Sequence, residues 1–178
     1  MTFKEEVYRN FVKDFSVILR KKVQDLEISK LIFLCIGTDK IIGDSFGPLV
    51  GYKLKNLFYG ENNIKVIGDL ENTVNAKNVI KIMDSIKNTH ETYFLIAIDA
   101  AISNKIEIGR IVVSNSKMNV GGNFNKEIYV GDVSIKGIVS RNLINPSCNF
   151  RLLQNVPLNT IMNMADCVAQ GICDVINV

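Results

Sequence analysis

The stretch that most restricts the fold of this chain runs from residue 31 to residue 48. It begins with a continuous apolar run, Leu31-Ile-Phe-Leu-Cys-Ile36, which is typical of a strand buried on both faces of a parallel sheet. Gly37 ends that run, and a polar loop with two further glycines leads to Pro48. From Pro48 onward apolar residues recur at helical spacing, and proline favours the first turn of a helix. The stretch therefore predicts a strand, a loop and a helix, with the loop where open α/β sheets bind ligands.

Two further strands with polar loops at their carboxyl ends follow. A short strand over 64–67 leads to a loop over 69–75, and Asn75 is predicted to cap a helix that begins at residue 76. A buried strand over 94–98 then leads directly into Asp99. Strands that alternate with helices form parallel sheets, whose loops gather on one edge. We therefore predict a three-layer α/β/α fold with a mostly parallel or mixed sheet, in which Asp44, the 69–75 loop and Asp99 face one another.

The rest of the chain is predicted to cover and complete this sheet. Residues 2–23 carry an apolar stripe at helical spacing, and Thr2 with Glu5 has capping-box spacing, so residues 1–25 are predicted to form a covering helix. Strands over 106–114 and 133–139, separated by a turn over 119–125, predict an antiparallel or mixed edge. Residues 140–150 are predicted to be an irregular connector, and a helix is predicted from Pro157 to the end. All 178 residues are assigned to a single α/β domain.

Composition excludes several classes of partner. The chain has 21 basic and 18 acidic residues, and its net charge of +3 is spread along the sequence, which predicts neither a nucleic-acid nor a membrane surface. No apolar run approaches the length of a membrane span. The four cysteines are widely spaced without a Cys-x-x-Cys pair, and they are predicted to be reduced packing residues in the cytoplasm.

Several familiar chemistries do not fit the loop over 38–47. A Walker-type loop and the dinucleotide fingerprint are both absent from this position. The segment Gly43-Asp-Ser-Phe-Gly47 matches the five positions of a hydrolase nucleophile elbow. However, the one histidine, His90, is predicted at the opposite edge of the sheet, so Ser45 has no base and is interpreted as a hydrogen-bonding residue at the helix start. The shortage of histidine and clustered cysteine also argues against zinc.

Asp44 and Asp99 remain as candidates for chemistry. Both are predicted to lie at the ends of adjacent buried strands, close enough for their charges to interact. Two such carboxylates cannot both ionise easily, so one keeps a proton and the pair can act as acid and base on a water molecule. The alternative is structural: rim aspartates are often solvated, and Asp99 could accept hydrogen bonds from loop amides.

Four segments of the chain, in order over roughly residues 31–172, resemble the YyaC family of sporulation proteins from spore-forming Firmicutes. They are Ile36-Gly-Thr-Asp-Lys-Ile-Ile-Gly-Asp-Ser-Phe-Gly-Pro-Leu-Val-Gly51, Ile96-Ala-Ile-Asp-Ala100, Val130-Gly-Asp-Val-Ser-Ile-Lys-Gly-Ile-Val139, and Leu152-Leu-Gln-Asn155 through Met162-Asn-Met-Ala165. That family is similar to the germination protease that degrades small acid-soluble spore proteins and, more distantly, to hydrogenase maturation endopeptidases, on a phosphorylase/hydrolase-like α/β fold. The proposed catalytic aspartates of the germination protease correspond to Asp44, with Phe46 where leucine is usual, and to Asp99.

The chain also departs from these relatives. Maturation endopeptidases bind nickel through an acidic residue where Ser45 stands and through a later histidine that this chain lacks, so no metal or other cofactor is expected. Rim positions that differ from the YyaC pattern are Asn75, Ser140, Arg141, Val156 and Pro157.

The resemblance implies two alternative functions. In the first, Asp44 and Asp99 form the catalytic pair of a spore peptidase, with Thr38, Asp39, Ser45 and Asn75 as substrate contacts. In the second, a non-catalytic sporulation protein binds a peptide or protein partner through the same rim. The expected substrate is a protein or peptide, small acid-soluble spore proteins among them, and the expected location is the cytoplasm of the forespore or the spore interior.

Overall fold

A five-stranded sheet forms the centre of the protein. The computed structural model describes residues 2–23, 28–88, 92–120, 127–143 and 146–177. The described residues form the strands β1 (Lys30–Cys35), β2 (Ile64–Ile67), β3 (Tyr93–Ile102), β4 (Ile111–Ser114), β5 (Met118–Asn119), β6 (Tyr129–Val130) and β7 (Val133–Ser140). The main sheet has the order β2-β1-β3-β7-β4, and β5 pairs with β6 in a separate antiparallel ribbon.

Four strands of the main sheet run parallel and one runs against them. β1 pairs in parallel with β2 and β3, and β3 pairs in parallel with β7. β4 closes the sheet as an antiparallel edge strand on β7. The predicted mixed sheet is therefore confirmed, with its carboxyl-terminal rim formed by the ends of β1, β3 and β7.

Helices cover both faces of this sheet. They are α1 (Phe3–Val23), α2 (Phe46–Leu57), α3 (Val79–Lys87), α4 (Pro146–Gln154) and α5 (Leu158–Ile176), with a 3-10 turn (Ile42–Ser45) directly before α2. Buried residues of α1, α2 and α5 pack together on one face, and α3 with the β5-β6 ribbon covers the other. This arrangement confirms the predicted three-layer α/β/α fold. In the described residues, no helix is both long and apolar enough to cross a membrane.

The covering helix α1 has the predicted start and the predicted apolar face. The Glu5 carboxylate accepts a hydrogen bond from the Thr2 amide at 2.9 Å, and the Thr2 hydroxyl accepts one from the Glu5 amide at 3.3 Å. Each bond satisfies an amide that the helix itself leaves unpaired. Phe11 and Phe15 are fully buried against the sheet layer, which is the packing that the apolar stripe predicts.

The first helix after β2 begins later than predicted. Asn75 is not its cap, because α3 starts at Val79 and Asn78 precedes it. The Asn75 side chain accepts a hydrogen bond from the Lys77 amide at 3.0 Å, while the Asn78 side chain accepts one from the Asn75 amide at 2.8 Å. These two asparagines close a turn, which delays the helix by three residues.

Two predictions on the second half of the chain are also wrong in detail. The strand predicted over 106–114 begins at Ile111, because the Ser103 hydroxyl accepts hydrogen bonds from the Lys105 and Ile106 amides and forms a turn. Residues 146–154 form α4 instead of an irregular connector. The turn predicted over 119–125 falls largely on residues 121–126, and the histidine at position 90 likewise lies outside the described residues.

Candidate functional site

Asp99 lies within β3 rather than after it. β1 ends at Cys35 opposite Ile98, whereas β3 continues to Ile102 because β7 pairs with it along this extension. The strand is therefore longer than the apolar run from which it was predicted. Its extension carries Asp99 at the rim, one residue beyond the last partner in β1.

The glycines around Asp44 bring its 3-10 turn close to the sheet and to α4. A Cβ atom at Gly47 would lie 2.0 Å from the Ile36 carbonyl oxygen, so only glycine allows α2 to start against the end of β1. A Cβ atom at Gly43 would lie 2.8 Å from the Leu153 carbonyl oxygen in α4. The Asp44 carbonyl also accepts a hydrogen bond from the Thr38 amide at 3.1 Å. These contacts hold the turn above the carboxyl end of β1.

Burial raises the pKa of both aspartates. Partial burial of Asp44 raises the pKa of its carboxyl group, and a hydrogen bond from the Thr38 backbone opposes that rise. The pKa of Asp99 is raised well above its ordinary value, first by burial and then by the negative charge of Asp44. The Ala100 amide, which donates to the Asp99 carboxylate at 2.7 Å, and the charge of Lys136 both act in the opposite direction. The two carboxyl groups therefore differ in their tendency to hold a proton, and Asp99 is the one held protonated to higher pH.

Lys136 is a residue of this rim that sequence analysis missed. It pairs in register with Asp99 across β3 and β7, so the two side chains project from the same face of the sheet. Every other residue of β7 is buried, whereas Lys136 is partly exposed. A single charged residue inside an otherwise uncharged strand is the signal that could have identified Lys136. Its pairing with Asp99 depends on the strand register, which a single sequence does not give.

Replacing Lys136 by methionine is expected to raise the pKa of Asp99 further, because it removes the positive charge that favours the carboxylate. Carbon-13 NMR titration of aspartate-labelled protein measures this shift directly. Lys81→Met, on the exposed side of α3, is the control and should leave the Asp99 titration in place. An unchanged or lower pKa of Asp99 in Lys136→Met would show that the charge of Lys136 does not act on Asp99.

The residues predicted as substrate contacts occupy different environments. Thr38 is half-buried beside Asp44, and Asp39 is exposed in the same loop. Asn75 follows Val74, whose carbonyl accepts a hydrogen bond from the Gly37 amide at 2.8 Å, so its loop lies next to the one after β1. Ser45 is buried, and its hydroxyl donates to the Ile42 carbonyl at 2.7 Å, which directs it into the 3-10 turn.

α4 forms another side of the rim. The Asn149 side chain accepts a hydrogen bond from the Leu143 amide at 2.6 Å and donates to the Leu143 carbonyl and the Asn142 side chain, each at 2.9 Å. It thereby ties the segment after β7 to the helix. Exposed apolar side chains lie on the turn, on this segment and on α4: Ile42, Leu143 and Phe150.

Of the other positions that depart from the YyaC pattern, Arg141 alone is exposed with a charged side chain. Ser140 is buried, and its carbonyl accepts a hydrogen bond from the Ser103 amide at 3.0 Å. Val156 is buried and Pro157 precedes the first residue of α5. Arg141 is exposed just beyond β7 and lines an open polar depression together with residues 103–108.

The donor atoms near Asp44 and Asp99 do not fit a nickel site. Ser45, next to Asp44, offers a hydroxyl that is already bonded inside the turn. In the part of the chain that the structure describes, no group of three or more histidine, cysteine, aspartate or glutamate side chains is arranged to hold a metal ion. The cysteines are free thiols. Burial raises the pKa of Cys167 to about 11 and that of Cys35 further still, which makes these two thiols poor nucleophiles at neutral pH.

Comparison with solved structures supports the fold. The nickel–iron hydrogenase maturation protease HycI from Thermococcus kodakarensis matches with a TM-score of 0.58 at 16% identity, over 93% of this chain and 99% of that chain. HybD, a second maturation protease from the same organism, gives a TM-score of 0.44 at 12% identity, over 81% of this chain and 99% of that chain. At this identity the likeness to HycI concerns the α/β fold alone.

Comparison with known sequences identifies the family. Residues 3–171 match the family model described as "Protein of unknown function (DUF1256)". YyaC of Bacillus subtilis strain 168 is 33% identical over 161 residues, which span 90% of this chain and 76% of YyaC. The resemblance that the four sequence segments carry is thereby confirmed, and the chain belongs to the DUF1256 family as a relative of YyaC.

Proposed function

We propose that this protein is a peptidase in which Asp44 and Asp99 share one proton and activate a water molecule. The observation that supports this most directly is that the Asp44 turn and Asp99 both lie at the carboxyl end of β1. The Asp44 charge accordingly raises the pKa of Asp99. Two carboxyl groups whose pKa values are pushed apart by their surroundings can take the roles of acid and base at one pH. The likeness of the fold to a maturation protease is consistent with this chemistry.

The direction of each pKa shift supports one distribution of the two proposed roles. Asp99, whose pKa is raised further, holds the proton, and Asp44 is the carboxylate. Asp44 takes a proton from water as the oxygen attacks the carbonyl carbon of the peptide bond, while Asp99 gives its proton to the carbonyl oxygen. Collapse of the resulting diol transfers a proton from Asp44 to the leaving amine and returns one to Asp99. The peptide bond is thereby hydrolysed, and the pair regains its single proton.

The proposed substrate is a protein segment. Small acid-soluble spore proteins are the first candidates, because the family resembles the germination protease that degrades them. The proposed place of action is accordingly the forespore or spore interior. Peptide binding without cleavage is the second candidate function. The exposed apolar side chains of Ile42, Leu143 and Phe150 around the rim favour it, because exposed apolar surface of this kind is typical of sites that bind a peptide or protein.

The test is a cleavage assay with matched variants. Wild-type protein, the Asp44→Asn/Asp99→Asn double variant and Asp14→Asn, an exposed aspartate on α1, are incubated with small acid-soluble spore proteins and with a decapeptide library between pH 4 and pH 8. Cleavage by the wild type and by Asp14→Asn, but not by the double variant, is the expected result. Cleavage that persists in the double variant would exclude the aspartate mechanism, and binding without cleavage by the wild type would establish the second function.

A further inference from the structure

The edge of β3 that faces β1 is left without a partner strand next to Asp99. The last link between the two strands is the hydrogen bond from the Ile36 amide to the Ile98 carbonyl, at 2.7 Å. After Ile36 the chain turns away, because the Gly37 amide donates to Val74 and the Thr38 amide donates to Asp44. β3 nevertheless continues to Ile102, held by β7 on its other side. Among the described residues, no strand pairs with this extension on the β1 side.

Alternation along the strand identifies the backbone groups at this open edge. The Ile98 carbonyl points towards β1, whereas the Ser103 amide donates to the Ser140 carbonyl on the β7 side. Ala100 and Ile102, which share the direction of Ile98, therefore direct their amide and carbonyl groups to the open side. The Ala100 amide donates to the Asp99 carboxylate instead of to a strand. The Ala100 carbonyl and both backbone groups of Ile102 remain at the edge, and both residues are partly exposed.

We propose that the substrate of this rim binds as an extended peptide that adds a strand to β3 where β1 stops. This proposal rests on the proposed function and specifies the conformation of its substrate. Unpaired backbone groups of a sheet edge bind an extended segment through main-chain hydrogen bonds, and they do so with little dependence on its sequence. A strand seated at Ala100 and Ile102 passes directly beside Asp99. The Asp44 turn lies at the end of β1, where β3 loses its partner strand.

The surroundings of the edge favour a segment with an apolar side chain. Ile42, on the turn that carries Asp44, is 37% exposed, and Phe150, on α4, is 50% exposed. Phe150 lies three residues before Leu153, which contacts Gly43, so it projects from the side of α4 that faces the turn. Side chains of an added strand point alternately to the two sides of the sheet, and every second one can reach such apolar surface.

The decisive experiment is a backbone-methylation scan of a bound peptide. The decapeptide that the Asp44→Asn/Asp99→Asn variant binds most tightly, selected from the library by fluorescence anisotropy, is resynthesised with a single N-methyl group at each position in turn. Methylation is expected to weaken binding at least tenfold at alternate positions and less than threefold at the positions between them. A flat or non-alternating profile would overturn the proposal, as would a library with no binder.

A variant of the protein tests the edge itself. Ile102→Pro removes the amide at the open edge, and Ile102→Ala removes only the side chain, so the difference between them isolates the hydrogen bond. We expect Ile102→Pro to bind the selected peptide at least tenfold more weakly than Ile102→Ala. Equal affinity of two folded variants would overturn the proposal, and the methylation scan decides the matter if Ile102→Pro does not fold.

The outcomes separate this proposal from the proposed function. The scan uses a variant without the aspartate pair, so it does not depend on cleavage. An alternating profile without hydrolysis by the wild type would remove the peptidase and keep the strand addition. Hydrolysis by the wild type with a non-alternating profile would keep the peptidase and remove the strand addition.

Discussion

Asp99→Asn is expected to abolish peptide hydrolysis while leaving the thermal midpoint at pH 7 unchanged or higher. Loss of a catalytic acid reduces the rate by about 100-fold or more. Stability is retained because the asparagine side chain keeps an oxygen that can accept the Ala100 amide. The substitution also removes a carboxyl group that is costly to ionise beside Asp44. Calorimetry and the cleavage assay on the same preparation measure both effects.

The pH dependence of stability provides a second readout of the same variant. The pKa of Asp99 is higher in the folded protein than in the unfolded chain, so the folded state binds more protons. Its contribution to stability is therefore complete below about pH 4, the ordinary range of an aspartate, and is lost as the pH rises through the folded pKa. The free energy of unfolding of the wild type should fall relative to that of Asp99→Asn over this interval. A constant difference would contradict the raised pKa.

Asp99→Ala is the control for a purely structural role. It removes the acceptor of the Ala100 amide, and an unpaired amide costs on the order of 1 to 3 kcal/mol. We expect Asp99→Ala to have a lower thermal midpoint than Asp99→Asn. A midpoint lowered by several degrees in Asp99→Asn itself would favour the structural role over the catalytic pair.

Gly47→Ala is expected to cause a large loss of stability. The new Cβ atom would lie 2.0 Å from the carbonyl oxygen and 2.8 Å from the amide nitrogen of Ile36, and neither backbone atom can move without displacing β1. Substitutions that force such overlap cost about 4 kcal/mol or more, out of a total stability of about 5 to 15 kcal/mol. Urea unfolding should show a midpoint shifted far below that of the wild type, or no folded protein.

Gly60→Ala is the matched control for this loss. Gly60 has a positive φ of 86° but open space around its Cβ position, so alanine there meets only backbone strain of about 1 to 2 kcal/mol. If the two variants lost the same amount of stability, overlap with Ile36 would not be the cause of the loss in Gly47→Ala.

Long periodic segments were predictable from the sequence because the burial of one face fixes the spacing of apolar residues. This applies to α1 and α5. The buried strand β1 was predictable in a similar way, from its continuous apolar run. α4 was missed because none of its described side chains is fully buried, so its sequence carries no strong apolar stripe. The extension of β3 to Ile102 was missed because it depends on pairing with β7 rather than on apolar composition.

The candidate site was predictable only in part. The pattern of strand, loop and helix places Asp44 in the loop after β1 and Asp99 where the apolar run of β3 ends, although the strand itself continues to Ile102. Lys136 could not be assigned to Asp99, because register is decided by long-range pairing. The match of Gly43 and Gly47 to a nucleophile elbow has a different physical basis, since both glycines are required by backbone contacts with α4 and β1.

The contact between Gly43 and Leu153 means that the absence of a side chain at position 43 sets how closely α4 approaches the turn that carries Asp44. The backbones of the 3-10 turn and α4 touch at this point, and a Cβ atom at Gly43 would lie 2.9 Å or less from both the carbonyl oxygen and the Cδ2 atom of Leu153. A relative with alanine at this position must therefore hold its equivalent of α4 farther away. The spacing between α4 and the Asp44 turn can thus change through position 43 alone, without any change to the aspartates.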